Sequence, residues 1–286
     1  MKRTVPTGTS LKAIVSDRRV ALWSASSIVA VLIFWEVAAD LHLISQYFFS
    51  SPSAIVATGL REVQEASFWS DLGISTLEFV VGYCLAMLVG IPLGFLIGWN
   101  RRTGYVLEPW LHGLNSTPTL ALMPLVVLWF GLGIESKFAI VFISAMVPVV
   151  VNLYVGVRTL DPRLLRVARS FGARRRVLLR SIIIPGLLSF VFVAARIAVG
   201  RSVSGVVVGE FYASQSGLAS RIFQAGINAQ TSKLFFGALT ITVLAMLGFR
   251  LVDAVQNRAL AWRRVTPTRA RRAALVVPTT ARMSDL

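Results

Sequence analysis

The chain has 286 residues, 55% of them hydrophobic and only 15% charged, with a mean hydropathy of +0.70. These values exclude a disordered chain and argue against an ordinary water-soluble domain. A formal net charge of +16 would suit a nucleic-acid binder. The basic residues lie between apolar runs rather than on one soluble face, so topology explains them and no nucleic-acid partner is expected.

Runs of about 20 apolar residues, the length that crosses a bilayer, recur six times. The first, near 20–39, follows Lys12, Arg18 and Arg19. It is longer than the apolar core of a signal peptide and reads as an uncleaved anchor. Glu36, near its outer end, reads as interfacial. In the segment that follows, Ser51 and Pro52 have the form of an N-cap and a first helical position. Val56, Leu60 and Val63 then recur at helical spacing and predict a short amphipathic helix. Tyr47, Phe48, Phe49, Phe68 and Trp69 suit an aromatic belt at the membrane surface.

The second span, 74–99, holds Cys84, the single cysteine, which reads as a buried small hydrophobe. Gly90, Gly94 and Gly98 repeat on one face of it and predict close approach of another helix. The third span is 105–130 and the fourth 137–157. Pro92, Pro124 and Pro148 are each expected to interrupt a span, and Pro118 and Pro124 frame TPTLALMP near the middle of the third. The fifth span is 186–209 and the sixth 234–255. Beyond Thr266 a tail of Thr, Pro, Arg and Ala is expected to be disordered and held near anionic lipid by its arginines. The chain thus divides into 1–71 (terminus, first span and external segment), a core of 72–257, and a basic tail, 258–286.

The arginines orient the bundle. With both termini, the turn at 100–104 and the loop at 158–185 in the cytoplasm, 22 of the 29 Lys and Arg residues lie on that side. Arg61, Lys137, Arg221 and Lys233 fall opposite, and Arg196, Arg201 and Arg250 fall within spans. This is the positive-inside bias.

Charges inside spans are costly, at least about 2.5–3.5 kcal/mol for a central guanidinium, and should face protein or a wet path. Arg196, Arg201, Glu78 and Glu210 are the candidates for such pairs or for an anion pathway. Five residues apart, Arg196 and Arg201 point about 140° away from each other on an ideal helix and should not share a partner. Glu78 is a candidate partner for one of them.

Between Arg158 and Pro185 the sequence RTLDPRLLRVARSFGARRRVLLRSIIIP sets eight arginines against one acid, Asp161. Asp161 and Pro162 read as N-cap and first turn. Leu164, Leu165, Ala168 and Phe171 supply an apolar face, with Arg163, Arg166 and Arg169 on the other side. Gly172 suits a left-handed C-cap, and a second helix leads towards Pro185, which marks the start of the fifth span. Two short helices around a glycine make a compact basic knob, suited either to anionic lipid or to a protein partner.

No G-x-x-x-x-G-K-[ST] loop, metal-ligand spacing or nucleophile elbow occurs. The chain therefore reads as a conducting, transporting or scaffolding protein rather than an enzyme, with no cofactor of its own. A secondary transporter, a channel or a membrane scaffold fits these features as well as a driven transporter does.

The loop resembles the cytoplasmic "EAA loop" of permease subunits in ATP-binding-cassette importers. That pattern has an acidic-Ala-Ala start, a glycine four residues after the last Ala, and an apolar-Pro about a dozen residues further on. Arg166-Val167-Ala168, Gly172 and Ile184-Pro185 occupy those places, with Arg166 where the pattern has an acid. GIPLGFLIG (90–98), ALMPLVVLWFGLG (121–133) and ARIAVGRSVSGVVVGEF (195–211) are similar to the branch serving nitrate, sulfonate and taurine. The resemblance implies an all-α, polytopic fold with six transmembrane helices, that of a type I importer permease, in a bacterial inner membrane. It implies a second permease chain, two separate ATPase subunits carrying ATP and Mg, and an external solute-binding protein. The ATPase-coupling element would be Asp161, Arg163, Leu164, Leu165, Arg166, Val167, Ala168, Arg169, Ser170, Phe171, Gly172 and Ala173, and the solute a small anion such as a sulfonate, nitrate or taurine.

Overall fold

Prolines, glycines and short polar breaks divide the chain into twelve helices among the described residues, 18–213 and 216–260, of this computed structural model. Three helices, α1 (Arg18–Asp40), α2 (Gln46–Phe49) and α3 (Pro52–Glu62), lead into α4 (Ala66–Trp99). Next come α5 (Arg101–Ser116), α6 (Thr119–Phe130), α7 (Ile134–Arg158), α8 (Pro162–Ser170) and α9 (Arg175–Leu178). A π-helical turn, Leu179–Ile183, joins α9 to α10 (Ile184–Ala213), and α11 (Leu218–Ile227) and α12 (Thr231–Ala259) follow. The tail expected at 258–286 lies outside the described residues from 261 onward.

Small residues decide how the bundle assembles. The repeat expected at Gly90, Gly94 and Gly98 extends back through Ala86, fully buried, to Gly82, and this whole stripe of α4 meets α7. A Cβ added at Gly94 would stand 2.6 Å from Leu153 Cβ and 2.6 Å from the carbonyl oxygen of Val150; one at Gly98 would stand 2.7 Å from Val157 Cβ. On the other side of α7, Gly205 of α10 lies against Val141 and Ser144. With no hydrophobic drive between helices in lipid, close approach and dispersion contacts hold such an assembly together. The helix α7 is accordingly the most buried of the long helices, with α4 and α10 on either side.

Four helical stretches are each long and apolar enough to cross a membrane: α4, α7, the continuous run Arg175–Ala213, and α12. The helices α5 and α6 can make a fifth crossing only as a pair bent by 98°. The span expected over 20–39 coincides with α1, and a count of six crossings is not established among the described residues. The break in the third expected span falls at Pro118. This proline forces Thr117 out of the helical region, and both residues are extended, with ψ of 124° and 122°. Pro92, Pro124 and Pro148 lie inside unbroken helices instead, Pro148 buried and Pro92 and Pro124 exposed. Pro185, the second residue of α10, does not break the run that begins at Arg175. Just before it the backbone widens to the π turn, where Ile184 N–H bonds Leu179 O, and the helix runs on.

Other expectations shift by a face. The predicted helix forms as α3, with Ser51 Oγ accepting from Ala54 N–H at 3.3 Å. It seats Ile55, Gly59 and Glu62 rather than Val56, Leu60 and Val63, because Gly59 admits the ring of Phe236 from α12. Phe68 leaves the expected aromatic belt for the core, against Phe236, while Tyr47, Phe48, Phe49 and Trp69 stay exposed. Cys84 is exposed, not buried. A helix as uniformly apolar as α4 gives no local sign of which face turns inward. Glu36 accepts from Ser53 N–H at 2.9 Å and from Ser53 Oγ at 2.5 Å, tying α1 to the start of α3.

Candidate functional site

The basic loop folds as a capped knob. Asp161 Oδ1 accepts from Arg163 N–H at 2.8 Å, with Pro162 at the first helical position. At the other end of α8, Gly172 has φ +73°, its N–H bonds Arg169 O at 2.9 Å, and Ala173 N–H bonds Ala168 O at 3.1 Å. This is a Schellman motif, and the left-handed turn it needs is the reason for glycine there. The apolar face expected of the helix divides in two. Leu165, Ala168 and Ala173 join Val157, Leu178, Ile183 and Leu187 in a small core at this end of the bundle. Leu164, Val167 and Phe171 point away from it, and Phe171 is 86% exposed. All eight arginines of the loop, including Arg163, Arg166 and Arg169, are exposed, Arg158 at the end of α7 with its guanidinium over the Tyr105 and Tyr154 rings. Ser170 Oγ donates to the Arg166 carbonyl oxygen. Through its core contacts, the knob is joined to the end of α7 and the start of α10.

The intramembrane charges resolve into separate arrangements. Arg196 on α10 pairs with Asp253 on α12, both about half exposed to the surroundings of the bundle. Arg201 has no ion pair or hydrogen bond among the described residues. It lines a cleft with Asn115, Thr117, Thr119 and Ser144. The two arginines thus go to different places, as their spacing requires.

Glu78 partners neither arginine. It is fully buried on α4 and accepts from Lys137 Nζ of α7 at 2.7 Å, and its Oε2 has no hydrogen-bond partner. Lys137, expected on the outer side with no role, is itself buried. The two residues are 59 positions apart, a pairing that no local pattern could announce. Glu210, also fully buried, accepts from Ser75 Oγ at 2.5 Å and from Ala219 N–H at 2.6 Å. It supplies the cap that α11 lacks, since Gly217 at that helix start has φ +110° and a Cβ there would run into the Glu210 carboxylate. A carboxylate at a helix N-terminus is favoured by the unpaired N–H groups and the helix dipole. Glu210 therefore ties the start of α11 to α4 and α10.

At the same end of the bundle Arg221 of α11 binds Asp71 at 2.6 Å and also Glu62, with Glu65 at 3.6 Å, and Lys233 reaches Glu62 at 2.7 Å. Burial disfavours the Arg221 charge, but Asp71 and Glu62 outweigh it and raise its pKa above the ordinary arginine value. This network was not legible from the sequence beyond the presence of acids on α3 and α4. Among the described residues no group of three His, Cys, Asp or Glu is placed to hold a metal.

Residues 90–260 match the family described as "Binding-protein-dependent transport system inner membrane component". The chain is 30% identical to a putative aliphatic sulfonates transport permease protein of Bacillus subtilis, over 82% of this chain and 84% of that one. It is 30% identical to the taurine transport system permease protein of Escherichia coli, over 86% of this chain and 91% of that one. A formylaminopyrimidine transport permease protein of Halalkalibacterium halodurans is 29% identical over 82% of this chain and 93% of its own length. Among solved structures, a chain of an amino acid ABC transporter with histidines shares the fold. Its TM-score is 0.53 at 16% identity, with 67% of this chain and 93% of that chain covered.

Proposed function

The chain belongs to the binding-protein-dependent transport system inner membrane component family, and from that premise we propose that it forms the membrane pathway of an ATP-driven importer for a small sulfonate- or taurine-type anion. Relatives named for sulfonate and taurine transport align over most of the chain and support that solute class. The knob at 161–173 docks into a groove on a separate ATPase subunit, which carries the ATP and Mg that this chain has no loop to hold. A binding protein delivers the solute at the end bearing Glu62, Arg221 and Lys233, and a second copy of the chain completes the pathway. Both termini lie on the cytoplasmic side, with the basic loop.

The observation that carries the docking assignment is the ridge of Leu164, Val167 and Phe171. Its apolar side chains stand free of the chain's own core while Leu165 and Ala168 anchor the same helix from beneath. An exposed aromatic on a rigid, capped helix is the kind of anchor that fills a partner's pocket. Closure of paired ATPase subunits would displace the knob, and its attachment to α7 and α10 would carry the movement into the bundle. Arg166 stands exposed where the family pattern has an acid, so the partner's groove should carry negative charge opposite it.

Affinity purification of the tagged permease from its own membranes tests the reading. The expected result is co-purification of an ATPase with a phosphate-binding loop, and its loss in Phe171→Asp at unchanged permease yield and dispersity. Purification without an ATPase, or ATPase retention indifferent to Phe171→Asp and Leu164→Asp, would refute it.

A further inference from the structure

We propose that the cleft at the bend between α5 and α6 is an intramembrane subsite for the oxyanion group of the transported solute, with Arg201 as its charge. The inference rests on the importer reading and names the place where that solute is held within the membrane.

Irregular backbone at membrane depth is tolerated where it is buried in protein or lines a polar cavity, and Thr117 and Pro118 make such a break. The cleft there is lined by Asn115, Thr117, Thr119, Ser144, Pro148 and Arg201, together with apolar side chains from α5, α6 and α7. Ser144 and Pro148 lie near the middle of α7, which places the cleft away from both ends of the bundle.

The chemistry of the lining is one-sided. Arg201 brings a guanidinium that no carboxylate answers, whereas Arg196, Arg221, Lys137 and Lys233 all have acidic partners. Arg250, also unpaired among the described residues, lies in the last third of α12, where a long side chain can reach the membrane surface. The Asn115 amide and the Thr119 hydroxyl make no hydrogen bond among the described residues. The N–H groups of Thr119 and Leu120, at the start of α6, find no acceptor either, because Pro118 at the N-cap has no side chain to offer. Thr117 and Ser144 turn their hydroxyls onto the carbonyls of Gly113 and Ile140. Among the described residues no acid lines the cleft.

A set of free donors around one cation selects an anion with several acceptor oxygens, and a guanidinium matches two oxygens of a sulfonate, carboxylate or nitrate at once. The cleft holds about 30 Å³, space on the order of one or two waters. It admits the oxygens of such a group, and the rest of the solute lies on its open side.

The test uses the complete transporter, permease with its ATPase and binding protein, in proteoliposomes, with labelled nitrate, taurine and ethanesulfonate as probes. Arg201→Gln removes the charge, Arg201→Lys keeps it without the fork, and Asn115→Asp sets a like charge against the anion at almost no change of shape. Uptake of the carried anion should fall about tenfold or more in Arg201→Gln and Asn115→Asp, the scale of one lost charge-assisted hydrogen bond, with Arg201→Lys recovering part of it. If Arg201→Gln does not fold, Asn115→Asp decides alone. Uptake within twofold of the unaltered protein in the folded variants overturns the subsite and leaves the importer standing. Absence of ATP-dependent uptake of every probe by the unaltered complex refutes the importer reading, and the subsite with it.

Discussion

Replacing Gly94 by alanine should destabilise the bundle even though alanine is the better helix former. A Cβ at this position would meet Leu153 Cβ and the Val150 carbonyl oxygen, each at 2.6 Å, and Val150 Cα at 3.2 Å. Two of these atoms are backbone and cannot rotate away, so α4 and α7 must separate by roughly 0.5–1 Å, which forfeits a quarter or more of each dispersion well along the seam. Leu153, 1% exposed, makes on the order of 40–60 such contacts at about 0.1–0.2 kcal/mol each. Losing about a quarter of that sum costs about 1–3 kcal/mol, the usual range for overpacking a tight core. Gly73 in the same helix is the control, because a Cβ there meets nothing within 4 Å. Gly73→Ala should gain up to about 1 kcal/mol from helix propensity. Denaturant unfolding in mixed micelles, followed by tryptophan fluorescence, should move the two variants in opposite directions. A Gly94→Ala protein as stable as Gly73→Ala would show that the helices do not meet as described.

Two further outcomes follow from the charges. Lys137→Met strands the buried Glu78 carboxylate and should cost about 3–5 kcal/mol, whereas Lys137→Met combined with Glu78→Met should recover most of the loss; a double variant no more stable than the single one would contradict the pairing, read by the same unfolding assay. Arg221→Met should cost about 1–3 kcal/mol by leaving Asp71 and Glu62 without their shared donor. Arg221→Lys should fall between, since an ammonium cannot reach both carboxylates and Ser67 as the guanidinium does. A loss under about 0.5 kcal/mol would reduce the network to ordinary surface pairs.

What the sequence made legible was local. Asp161-Pro162 and Gly172 marked both ends of α8, because caps are set by residues within one turn of each other. Gly90, Gly94 and Gly98 marked a close-packed face, because small side chains at every fourth position have few other uses in a membrane helix. Which helix lay across that face was not written there. Glu78 found Lys137, and Arg196 found Asp253, across 59 and 57 positions, through a register between helices that no single helix encodes. Phe68, Val56 and Cys84 were placed on the wrong face for a related reason: next to lipid, the outward side of a helix is as apolar as the inward one. Pro118 broke its helix while Pro92, Pro124 and Pro148 did not, a difference that the presence of a proline alone does not announce.

As proposed, this chain conducts a solute only when coupled, through the knob at 161–173, to an ATPase. Solute uptake into proteoliposomes, with and without the ATPase subunits and ATP, tests it most directly. Uptake should require the ATPase, ATP and an intact Phe171 ridge. Uptake by the permease alone, driven by a gradient with no ATPase present, would contradict it.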